Sequence, residues 1–397
     1  MVTKYSPIMT VRKYERFRGN NRFFCCGYLI SARQIGIMVF VAILLVIVFA
    51  LFLAFDSRFL IANVYPIGVG AIFPIIAAFG LFYSMAFLLK TGCTDPGIIP
   101  RAKTDELDYQ LRQADDVIKQ GTARYMTITV KGEQQKLKWC ATCEIWRPPR
   151  ASHCGLCNNC YDRFDHHCPV VGNCVAKRNY RYFYLFLVSV FCMCIYGMGC
   201  NVAVIVLASK MTNFGDALKT YPASVIEFAI CGLGAVAVSG LACMHTWLIA
   251  TMQTTNEDIK GTFNPRRQGR DVSNPYTQRN CCKNFLLVIC GPFQPSLIDR
   301  RGVVDLDEED AAERSDYGST AGTVVHSTAV PGIPIESSSK PNDQSQELLN
   351  PVQSSSPASK PSTDNESPSA VIGSTEVEVH ASDDETETHK LITNDVN

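Results

Sequence analysis

The sequence predicts an all-α integral membrane protein with four transmembrane helices, a cysteine-rich cytosolic domain between the second and third helices, and a disordered C-terminal tail. Of the 397 residues, 47% are hydrophobic, and they are concentrated in four long runs. All 18 cysteines lie between Cys25 and Cys290, whereas the last hundred or so residues contain almost no apolar runs. The length alone would allow two or three soluble domains, but this uneven distribution excludes them.

Four apolar runs are long enough to cross a bilayer core of about 30 Å. They are Ile35–Phe55, Tyr65–Leu89, Phe183–Ala208 and Val225–Met252. A buried helix of a soluble protein rarely stays uniformly apolar for more than about 20 residues, which disfavours a soluble core. Glu227 and His245 lie near the ends of the fourth run, so we expect both side chains to snorkel towards the membrane surface.

The basic residues of the connecting segments predict the orientation. Residues 1–34, 90–182 and 253–301 are rich in Lys and Arg, whereas the other two loops offer only Arg58, Lys210 and Lys219. The three basic segments, and with them both termini, are therefore expected in the cytosol. The polar, basic first 34 residues do not resemble a signal peptide. Residues 90–182 form the only sizeable soluble part between spans, and function is to be sought there.

The tail differs from the rest of the chain in charge. Gly302–Asn397 contains 19 acidic and four basic residues, so the formal net charge of zero combines an acidic tail with a basic remainder. The tail is rich in Ser, Thr and Pro and cannot bury enough apolar surface to fold. We therefore divide the chain into segments 1–34, 35–89, 90–182 (with a cysteine-rich domain over about 138–182), 183–252, 253–301 and 302–397.

The cytosolic segment contains weak signals for regular structure before its cysteines. Asp105–Gln120 is charged, with weak helical periodicity. Tyr125–Val130 alternates as a strand does, and Lys131-Gly132 can turn it into a hairpin that ends at Leu137–Trp139.

Ten potential metal ligands follow within a short stretch. They are Cys140, Cys143, Cys154, Cys157, Cys160, Cys168, Cys174, His153, His166 and His167. Two Cys-x-x-Cys pairs among them have the spacing of zinc-binding turns. A cytosolic location disfavours disulfides, and the segment has little apolar core, so two zinc ions are expected to stabilise its fold.

Counting ligands leaves one cysteine and one histidine unused. Two tetrahedral Cys3His sites need eight of the ten residues. His166 and Cys168 are the pair to suspect, because Asp165 precedes them and Asp-His-x-Cys contains a carboxylate, a base and a nucleophile. The spacing does not show which histidine is free, and a wholly structural cluster is the alternative.

These residues resemble the cysteine-rich domain of the DHHC protein S-acyltransferases, also called palmitoyltransferases. Asp165-His166-His167-Cys168 stands within Cys140-x2-Cys143-x9-His153-Cys154-x2-Cys157-x2-Cys160, with Cys174 following. Asp95-Pro96-Gly97 resembles the DPG motif of the family, Thr254-Thr255-Asn256-Glu257 its TTxE motif, and Asn274-Pro275-Tyr276 its C-terminal segment. Asn256–Gly261 and Cys290–Gly302 resemble the branch of Golgi and plasma-membrane enzymes that acylate Ras-like proteins and often need an accessory subunit.

The resemblance implies roles for individual residues. One zinc would take Cys140, Cys143, His153 and Cys160, and the other Cys154, Cys157, His167 and Cys174. Cys168 would be the nucleophile, His166 its base and Asp165 the residue that orients the base. The implied reaction transfers a long-chain acyl group from palmitoyl-CoA to cytosolic cysteines of membrane-associated proteins, through an acyl-enzyme and with ping-pong kinetics.

Further expectations concern ligands and location. Arg147 and Arg150 are candidates for the CoA phosphates. Ras-like substrates and an accessory subunit are expected partners, and nucleic acid is not. The Golgi is the expected membrane, with the endoplasmic reticulum and plasma membrane as alternatives.

Some cysteines and one substitution invite separate expectations. The resemblance implies that Cys281, Cys282 and Cys290 are acylated, and Cys25-Cys26 near the first span are further candidates for acylation. The cysteines within the spans are expected to pack. Val170 stands where the family nearly always has Trp. A zinc-stabilised scaffold without turnover is therefore the alternative to an enzyme.

Overall fold

The protein is described by a computed structural model that covers residues 11–66, 68–103, 106 and 125–304. The predicted helix over Asp105–Gln120, apart from residue 106, lies outside the described residues. So does the tail from Asp305 onward, for which disorder stays a prediction.

Four helical spans are long and apolar enough to cross a membrane, judged by length and composition. The first span consists of α1 (Gly36–Ala54) and α2 (Asp56–Asn63), and the second of a 3-10 turn (Val69–Ala71) and α3 (Ile72–Cys93). The third span is α4 (Tyr180–Met211), and the fourth is α6 (Pro222–Ala250), which follows the short helix α5 (Phe214–Thr220). Many Ile, Leu, Val and Phe side chains on their outer faces are exposed, as suits a lipid environment. Pro74 and Pro222 fall in the first turns of α3 and α6, where a missing N–H costs little.

The helix α4 is the centre of the membrane bundle. It packs along both α3 and α6, and α1 packs against α3. Phe183, Phe186 and Leu187 near the start of α4 belong to a buried cluster that also contains Cys168. The cytosolic end of the bundle therefore shares its core with the cysteine-rich region.

The cysteine-rich region consists of short antiparallel hairpins rather than helices. Its strands are β3 (Tyr125–Val130), β4 (Glu133–Cys140), β5 (Ile145–Trp146), β6 (Ser152–Cys154), β7 (Asn159–Tyr161), β8 (His166–Cys168) and β9 (Asn173–Val175), and the N-terminal segment adds β1 (Arg22–Phe24) with β2 (Leu29–Ser31). The predicted all-α class is therefore wrong for this region, although it holds for the spans. Cys-x-x-Cys pairs force tight turns, with positive φ at Glu144 and Asn158, and such turns join strands.

The first hairpin confirms the alternation found in the sequence. Strand β3 has the predicted bounds and pairs along its whole length with β4. Lys131 and Gly132 form the two-residue turn with φ values of 49° and 82°. Positive φ at both positions is the geometry that matches the twist of a hairpin.

Buried asparagines fasten the hairpins to the ends of α3 and α4. The Asn173 side chain donates to the carbonyls of Gly92 (3.0 Å) and Thr94 (3.1 Å), and that of Asn179 donates to Thr91 (3.0 Å). Asp95 forms a buried ion pair of 2.9 Å with Arg178. Since both helices enter the membrane, these bonds fix the hairpins at the membrane face.

The segment after α6 packs against the hairpins of the cysteine-rich region. Its helices are α7 (Thr255–Lys260), α8 (Pro265–Gln268) and α9 (Cys281–Cys290). Thr254 and Glu257 form a capping box at the start of α7, which satisfies two N–H groups of its first turn. Asn284 of α9 is buried and donates to the Ala250 carbonyl at the end of α6 (2.8 Å), so α9 is held against the bundle.

Candidate active site

Strand β8 separates the two adjacent histidines. Successive side chains of a strand point to opposite faces, so His166 and Cys168 share one face and His167 faces the other way. His167 lies in a four-ligand cluster with three cysteines, whereas His166 lies beside Asp165 and His245, in a smaller group that could also hold a metal ion. This alternation places His167, and not His166, among the cysteine ligands.

A hydrogen bond orients the His166 ring. Its Nδ1 lies 2.6 Å from Asp165 Oδ2, and Asp165 is 1% exposed. A neutral or protonated imidazole donates its Nδ1–H to this carboxylate, which leaves Nε2 to interact with Cys168. The Phe183 ring packs edge-on against His166 at 5.2 Å between centroids and limits its tilt.

The first residue of helix α7, 90 residues further along the chain, is hydrogen-bonded to Asp165. Thr255 donates its backbone N–H to Asp165 Oδ1 and its hydroxyl to Oδ2, both at 2.8 Å. With the His166 bond, the buried carboxylate has three hydrogen bonds, which favour its charged form. Thr255 is thus placed to fix the rotamer of Asp165.

The environment favours a thiolate beside a protonated imidazole. Burial raises the pKa of the Cys168 thiol, but the bond to His166 and the backbone N–H groups of Val171 and Val170 outweigh burial and lower it. Burial lowers the pKa of His166, but its bonds to Asp165 and Cys168 outweigh that effect and raise it to about 9. Since a thiolate is the nucleophilic form, Cys168 is poised to attack an electrophilic carbon.

The first metal-ligand cluster contains Cys140, Cys143, His153 and Cys160. The three sulfurs lie 3.5, 3.5 and 3.7 Å from His153 Nδ1. Zinc–sulfur bonds of about 2.3 Å and zinc–nitrogen bonds of about 2.0 Å would separate sulfur and nitrogen by about 3.5 Å in a tetrahedron. The spacing of these ligands therefore fits one tetrahedral metal ion.

The second cluster contains Cys154, Cys157, His167 and Cys174. Its sulfurs lie 3.7, 3.5 and 3.5 Å from His167 Nδ1, so it fits a metal ion equally well. Both four-residue sets are the ones that the family resemblance implies. In each cluster, the two cysteines of a Cys-x-x-Cys turn lie beside a His and a Cys that are paired across the two strands of the following hairpin. These cross-strand pairs are His153↔Cys160 and His167↔Cys174.

Arg150 lines a polar cleft together with Arg147, but the Glu257 carboxylate already pairs with its charge. Its Nε and an Nη atom lie 2.7 Å from the two carboxylate oxygens of Glu257, and it also donates to the Met252 carbonyl. Its guanidinium stacks on the Tyr276 ring at 4.4 Å. The sequence cannot show that a buried carboxylate 107 residues away takes up this charge.

A polar cleft of about 750 Å³ lies beside this ion pair. Lys138, Arg147 and Lys260 line it, and Arg147 Nε has no hydrogen-bond partner among the described residues. Burial lowers the pKa of Lys260, and so do the nearby charges of Lys138 and Arg147. An anion in the cleft would relieve this repulsion.

Two intramembrane side chains do not snorkel as predicted. His245 is 1% exposed, accepts or donates a 3.0 Å hydrogen bond with the Tyr180 hydroxyl, and has its ring 5.9 Å from that of His166. Glu227 is 2% exposed within the bundle. Burial among helices replaces snorkelling because both face the bundle interior, which helical spacing alone does not reveal.

The other cysteines divide by exposure. Cys25, Cys26, Cys281, Cys282 and Cys290 are exposed, so their thiols are accessible, while their acylation stays a prediction. Of the span cysteines expected to pack, Cys200 and Cys231 are buried and Cys194 is partly buried. Cys192 and Cys243 are exposed on the outer faces of α4 and α6, so packing was the wrong expectation for these two.

Comparison with known proteins identifies the family to which the chain is similar. Residues 133–262 match the model of the DHHC palmitoyltransferase family. Human Palmitoyltransferase ZDHHC9 is 41% identical over 340 residues, which cover 84% of this chain and 91% of that protein. The chain belongs to the DHHC palmitoyltransferase family.

Two further relatives extend the match. Human Palmitoyltransferase ZDHHC14 is 42% identical over 329 residues, and human ZDHHC18 is 42% identical over 299 residues. These alignments cover 80% and 75% of this chain, and 66% and 76% of the relatives. The chain thus spans about two thirds of the length of ZDHHC14 and most of ZDHHC9. The region matched by the family model contains both metal-ligand clusters, the triad of Asp165, His166 and Cys168, and helix α7.

Proposed function

We propose that the protein is a protein-cysteine S-palmitoyltransferase that carries the acyl group on Cys168. The observation that carries this proposal is the ordered chain from Thr255 to Asp165 to His166 to Cys168 at the membrane face. A thiol, a base and a carboxylate in this order are the parts of an activated nucleophile. The relatives named above are palmitoyltransferases.

In the first step His166 Nε2 holds the proton of the Cys168 thiol, and Cys168 Sγ attacks the thioester carbon of palmitoyl-CoA. The carbon–sulfur bond to CoA breaks, and the CoA thiolate takes the proton back from His166. In the second step an acceptor cysteine gives its proton to His166 and attacks the acyl-Cys168 thioester. Cys168 leaves as a thiolate, so the acceptor is acylated and the enzyme returns to its starting state.

We propose that two zinc ions fill the two Cys3His clusters. Four-coordinate sites made of cysteine and histidine are typical of structural zinc, which supplies folding free energy. With all four positions taken by protein ligands, neither site leaves a position for substrate. Their function here is to hold β8 so that His166 and Cys168 share one face.

The cleft beside Arg150 is proposed to receive the phosphates of CoA. Lys138, Arg147 and Lys260 supply its positive charge, and α7 connects it to the triad through Thr255. Arg147 therefore keeps its predicted role, whereas the ion pair with Glu257 gives Arg150 a structural role in this proposal.

The orientation and location are proposals that rest on charge and resemblance. Both termini and the cysteine-rich region would face the cytosol, with the Golgi as the membrane and the endoplasmic reticulum or plasma membrane as alternatives. Protease treatment of intact vesicles should remove tags from both termini, and protection of either tag would reject this orientation. Microscopy of the tagged protein, produced at its native expression level, would test the Golgi assignment.

Membrane-associated proteins with cytosolic cysteines, Ras-like proteins among them, are the proposed acceptors. A single lipid chain gives only weak membrane binding, and a second chain makes anchoring stable, so such proteins gain from this reaction. An accessory subunit is proposed from the resemblance of Asn256–Gly261 and Cys290–Gly302 to one branch of the family. Acylation of a Ras-like protein by the purified chain alone would contradict the need for that subunit.

A zinc-stabilised scaffold is the second candidate, and Val170 is the observation that favours it. Val170 stands at the position of a family Trp, two residues from Cys168, and it is 40% exposed. Such a scaffold would keep both metal ions and bind partners without taking up an acyl group.

Incubation of the purified protein with clickable palmitoyl-CoA separates the two candidates. We expect a label on the wild type that hydroxylamine removes, as it removes thioesters, and no label on Cys168→Ser. An unlabelled wild type that is folded and loaded with zinc would favour the scaffold.

A further inference from the structure

His245 is a buried histidine that the mechanism above does not use. It lies on α6 within the membrane bundle and is 1% exposed. An ionisable side chain inside a membrane is costly and usually marks a function. An apolar residue would fill the same place at less cost, so the contacts of this imidazole are the place to look for that function.

Aromatic rings connect His245 to the active site. The Phe183 ring packs edge-on against His245 at 4.9 Å between centroids, and the His166 ring lies at 5.9 Å. Since Phe183 also packs edge-on against His166, the three rings form one cluster. His245 thus borders the base of the proposed reaction rather than the lipid.

The Tyr180 hydroxyl fixes the tautomer of His245. It lies 3.0 Å from His245 Nδ1 and has no other hydrogen-bond acceptor in the part of the chain that the structure describes. A buried hydroxyl without an acceptor is costly, so the hydroxyl donates and Nδ1 accepts. An imidazole that accepts at Nδ1 carries its single hydrogen on Nε2. The ring therefore keeps one N–H donor that Tyr180 does not use.

His245 belongs to a group of three polar side chains. One of its ring nitrogens lies within 4.8 Å of a ring nitrogen of His166 and of a carboxylate oxygen of Asp165. One bridging water molecule spans a separation of this size, and a small rotation of the ring would make the contact direct. Asp165 already accepts two hydrogen bonds from Thr255 of α7. The consecutive helices α6 and α7 therefore each bring one side chain to the same carboxylate.

The same three side chains could hold a metal ion, but the distances favour a hydrogen bond. Two ligand atoms with zinc bonds of about 2.0–2.2 Å lie about 3.3 Å or more apart in a tetrahedron. Asp165 Oδ2 and His166 Nδ1 are only 2.6 Å apart, a separation typical of a short, charge-assisted hydrogen bond. A metal ion would have to break this bond, so the group is better suited to orient the base.

We propose that His245 is a positioning residue for acyl transfer. Its Nε2–H, with the tautomer fixed by Tyr180, steadies the Asp165–His166 pair from the membrane side. The proposal rests on the function proposed above. His245 touches no reacting atom, so its loss should slow the chemical step and leave binding of the acyl donor unchanged.

Single-turnover acylation of the purified, zinc-loaded full chain tests this role. His245→Phe keeps a ring but removes the donor, so the rate at saturating palmitoyl-CoA should fall about tenfold or more, with an unchanged half-saturation concentration. His245→Gln, which returns an N–H near the position of Nε2, should recover most of this loss. Tyr180→Phe frees the tautomer and should cost less, about two- to fivefold.

Thr246→Ala is the matched control at the next position of α6. The Thr246 hydroxyl is bonded to Tyr184 and lies outside the group of three, so this change should leave the rate as in the wild type.

A double-mutant cycle separates positioning from general stability. Thr255→Val and His245→Phe act on the same carboxylate, so the double variant should lose clearly less than the product of the two single losses. If His245→Phe does not fold, Tyr180→Phe, which deletes one oxygen atom, takes its place in the cycle.

Three results would overturn the proposal: wild-type rates in a folded His245→Phe protein, equal losses in His245→Gln and His245→Phe, or losses that multiply in the cycle. Zinc analysis adds a fourth. A zinc ion beyond two per chain in the wild type, missing from His245→Phe, would replace the positioning role by a metal site.

Alkylation of Cys168 by iodoacetamide, followed by mass spectrometry, separates this proposal from the proposed function. The reaction needs the thiolate that a well-placed His166 stabilises, but it needs no acyl donor. Slower alkylation in His245→Phe than in a wild type that takes up no acyl group would retain the positioning and reject the transferase. Equal acylation and equal alkylation of the two proteins would retain the transferase and reject the positioning.

Discussion

At the scale of single residues, the proposed catalysis depends on a chain of hydrogen bonds that begins outside the cysteine-rich region. Thr255 holds Asp165, Asp165 orients His166, and His166 acts on Cys168. Thr255 touches no reacting atom in this arrangement. It is a positioning residue whose two donors fix the carboxylate that fixes the base.

Replacing Thr255 by Val should slow acylation of Cys168. The variant removes one hydrogen bond to a buried charged group, worth about 1.5–3 kcal/mol, which corresponds to a loss of about ten- to a hundredfold in rate. The rate of single-turnover acylation at saturating palmitoyl-CoA measures this effect.

Thr255→Ser is the matched control, because it keeps the hydroxyl donor. It should restore most of the rate, and both variants should bind acyl-CoA analogues as the wild type does. Equal rates for Thr255→Val and Thr255→Ser would show that the hydroxyl bond to Asp165 is irrelevant.

Sequence reasoning reached Asp165, His166 and Cys168 by ligand counting and family resemblance, because these residues are adjacent in the chain. It expected Thr255 and Glu257 to fasten the C-terminal segment to the zinc domain, but it did not identify their partners Asp165 and Arg150. Both contacts join residues about a hundred positions apart. Local patterns carry no information about such contacts, although the TTxE motif marked the residues as ones to locate.

At the scale of elements, one hairpin contributes ligands to both metal clusters. The last residue of β6 and the turn after it supply Cys154 and Cys157 to the second cluster, while β6 and β7 supply His153 and Cys160 to the first. The short strands have little core of their own, so the metal ions have to hold their register. The number of metal sites was predictable by counting ligands and the two ligand sets by the family resemblance, but the hairpins between the ligands were too short for alternation to reveal.

Zinc content should separate the cysteines by function. The wild type should bind two zinc ions per chain, Cys160→Ala fewer, and Cys168→Ala two, because Cys168 lies outside both clusters. Elemental analysis of the purified proteins provides the measurement. A Cys168→Ala protein with one zinc ion would place Cys168 among the ligands and remove it from catalysis.

The ion pair between Arg150 and Glu257 should contribute strongly to stability. Its side chains are 9% and 5% exposed, and loss of one partner leaves a buried charge, at a cost of about 3–5 kcal/mol. Glu257→Gln should therefore lower the free energy of unfolding of the cytosolic region by this amount, as followed by chemical denaturation in detergent.

The exposed pair of Lys177 and Asp162 supplies a control. Its side chains are 40% and 26% exposed, so Lys177→Gln should cost less than about 1 kcal/mol. Equal destabilisation by the two changes would contradict the assignment of Arg150 to structure and return it to the candidates for CoA binding.

At the scale of the whole molecule, the active site lies where three segments meet. Buried bonds of Asn173 and Asn179 fix the hairpins to the spans, and α7 closes over the triad from the C-terminal segment. Two binding regions adjoin this point, the basic cleft on the cytosolic side and the apolar cavity among the helices. One is suited to a charged nucleotide and the other to a hydrocarbon chain, which are the two halves of palmitoyl-CoA.

Charge reversal in the cleft should weaken binding of palmitoyl-CoA. Lys138→Glu and Arg147→Glu each replace attraction of the phosphates by repulsion, so we expect KM to rise about tenfold or more with little change in kcat. A palmitoyl thioester without the nucleotide should react with wild type and variants at equal rates. A fall in kcat with unchanged KM would reject the cleft as the site of the CoA phosphates.

The spans were the most predictable part of the molecule, since about 20 apolar residues in succession are typical of a transmembrane helix and rare in a soluble protein. The orientation of the Glu227 and His245 side chains within them was not predictable in the same way. Whether a polar residue near a span end reaches the surface or turns inward depends on the neighbouring helices, and the structure turns both inward.

Transfer from an isolated acyl-enzyme tests the central claim most directly. The protein is loaded with labelled palmitoyl-CoA, freed of CoA, and then mixed with an acceptor peptide that contains one cysteine. We predict that the label leaves Cys168 and appears on the peptide in equal amount, and that an acceptor with Ser in place of its cysteine gains none. Retention of the label on Cys168, while the same peptide is acylated directly when palmitoyl-CoA is present, would contradict an acyl-enzyme mechanism.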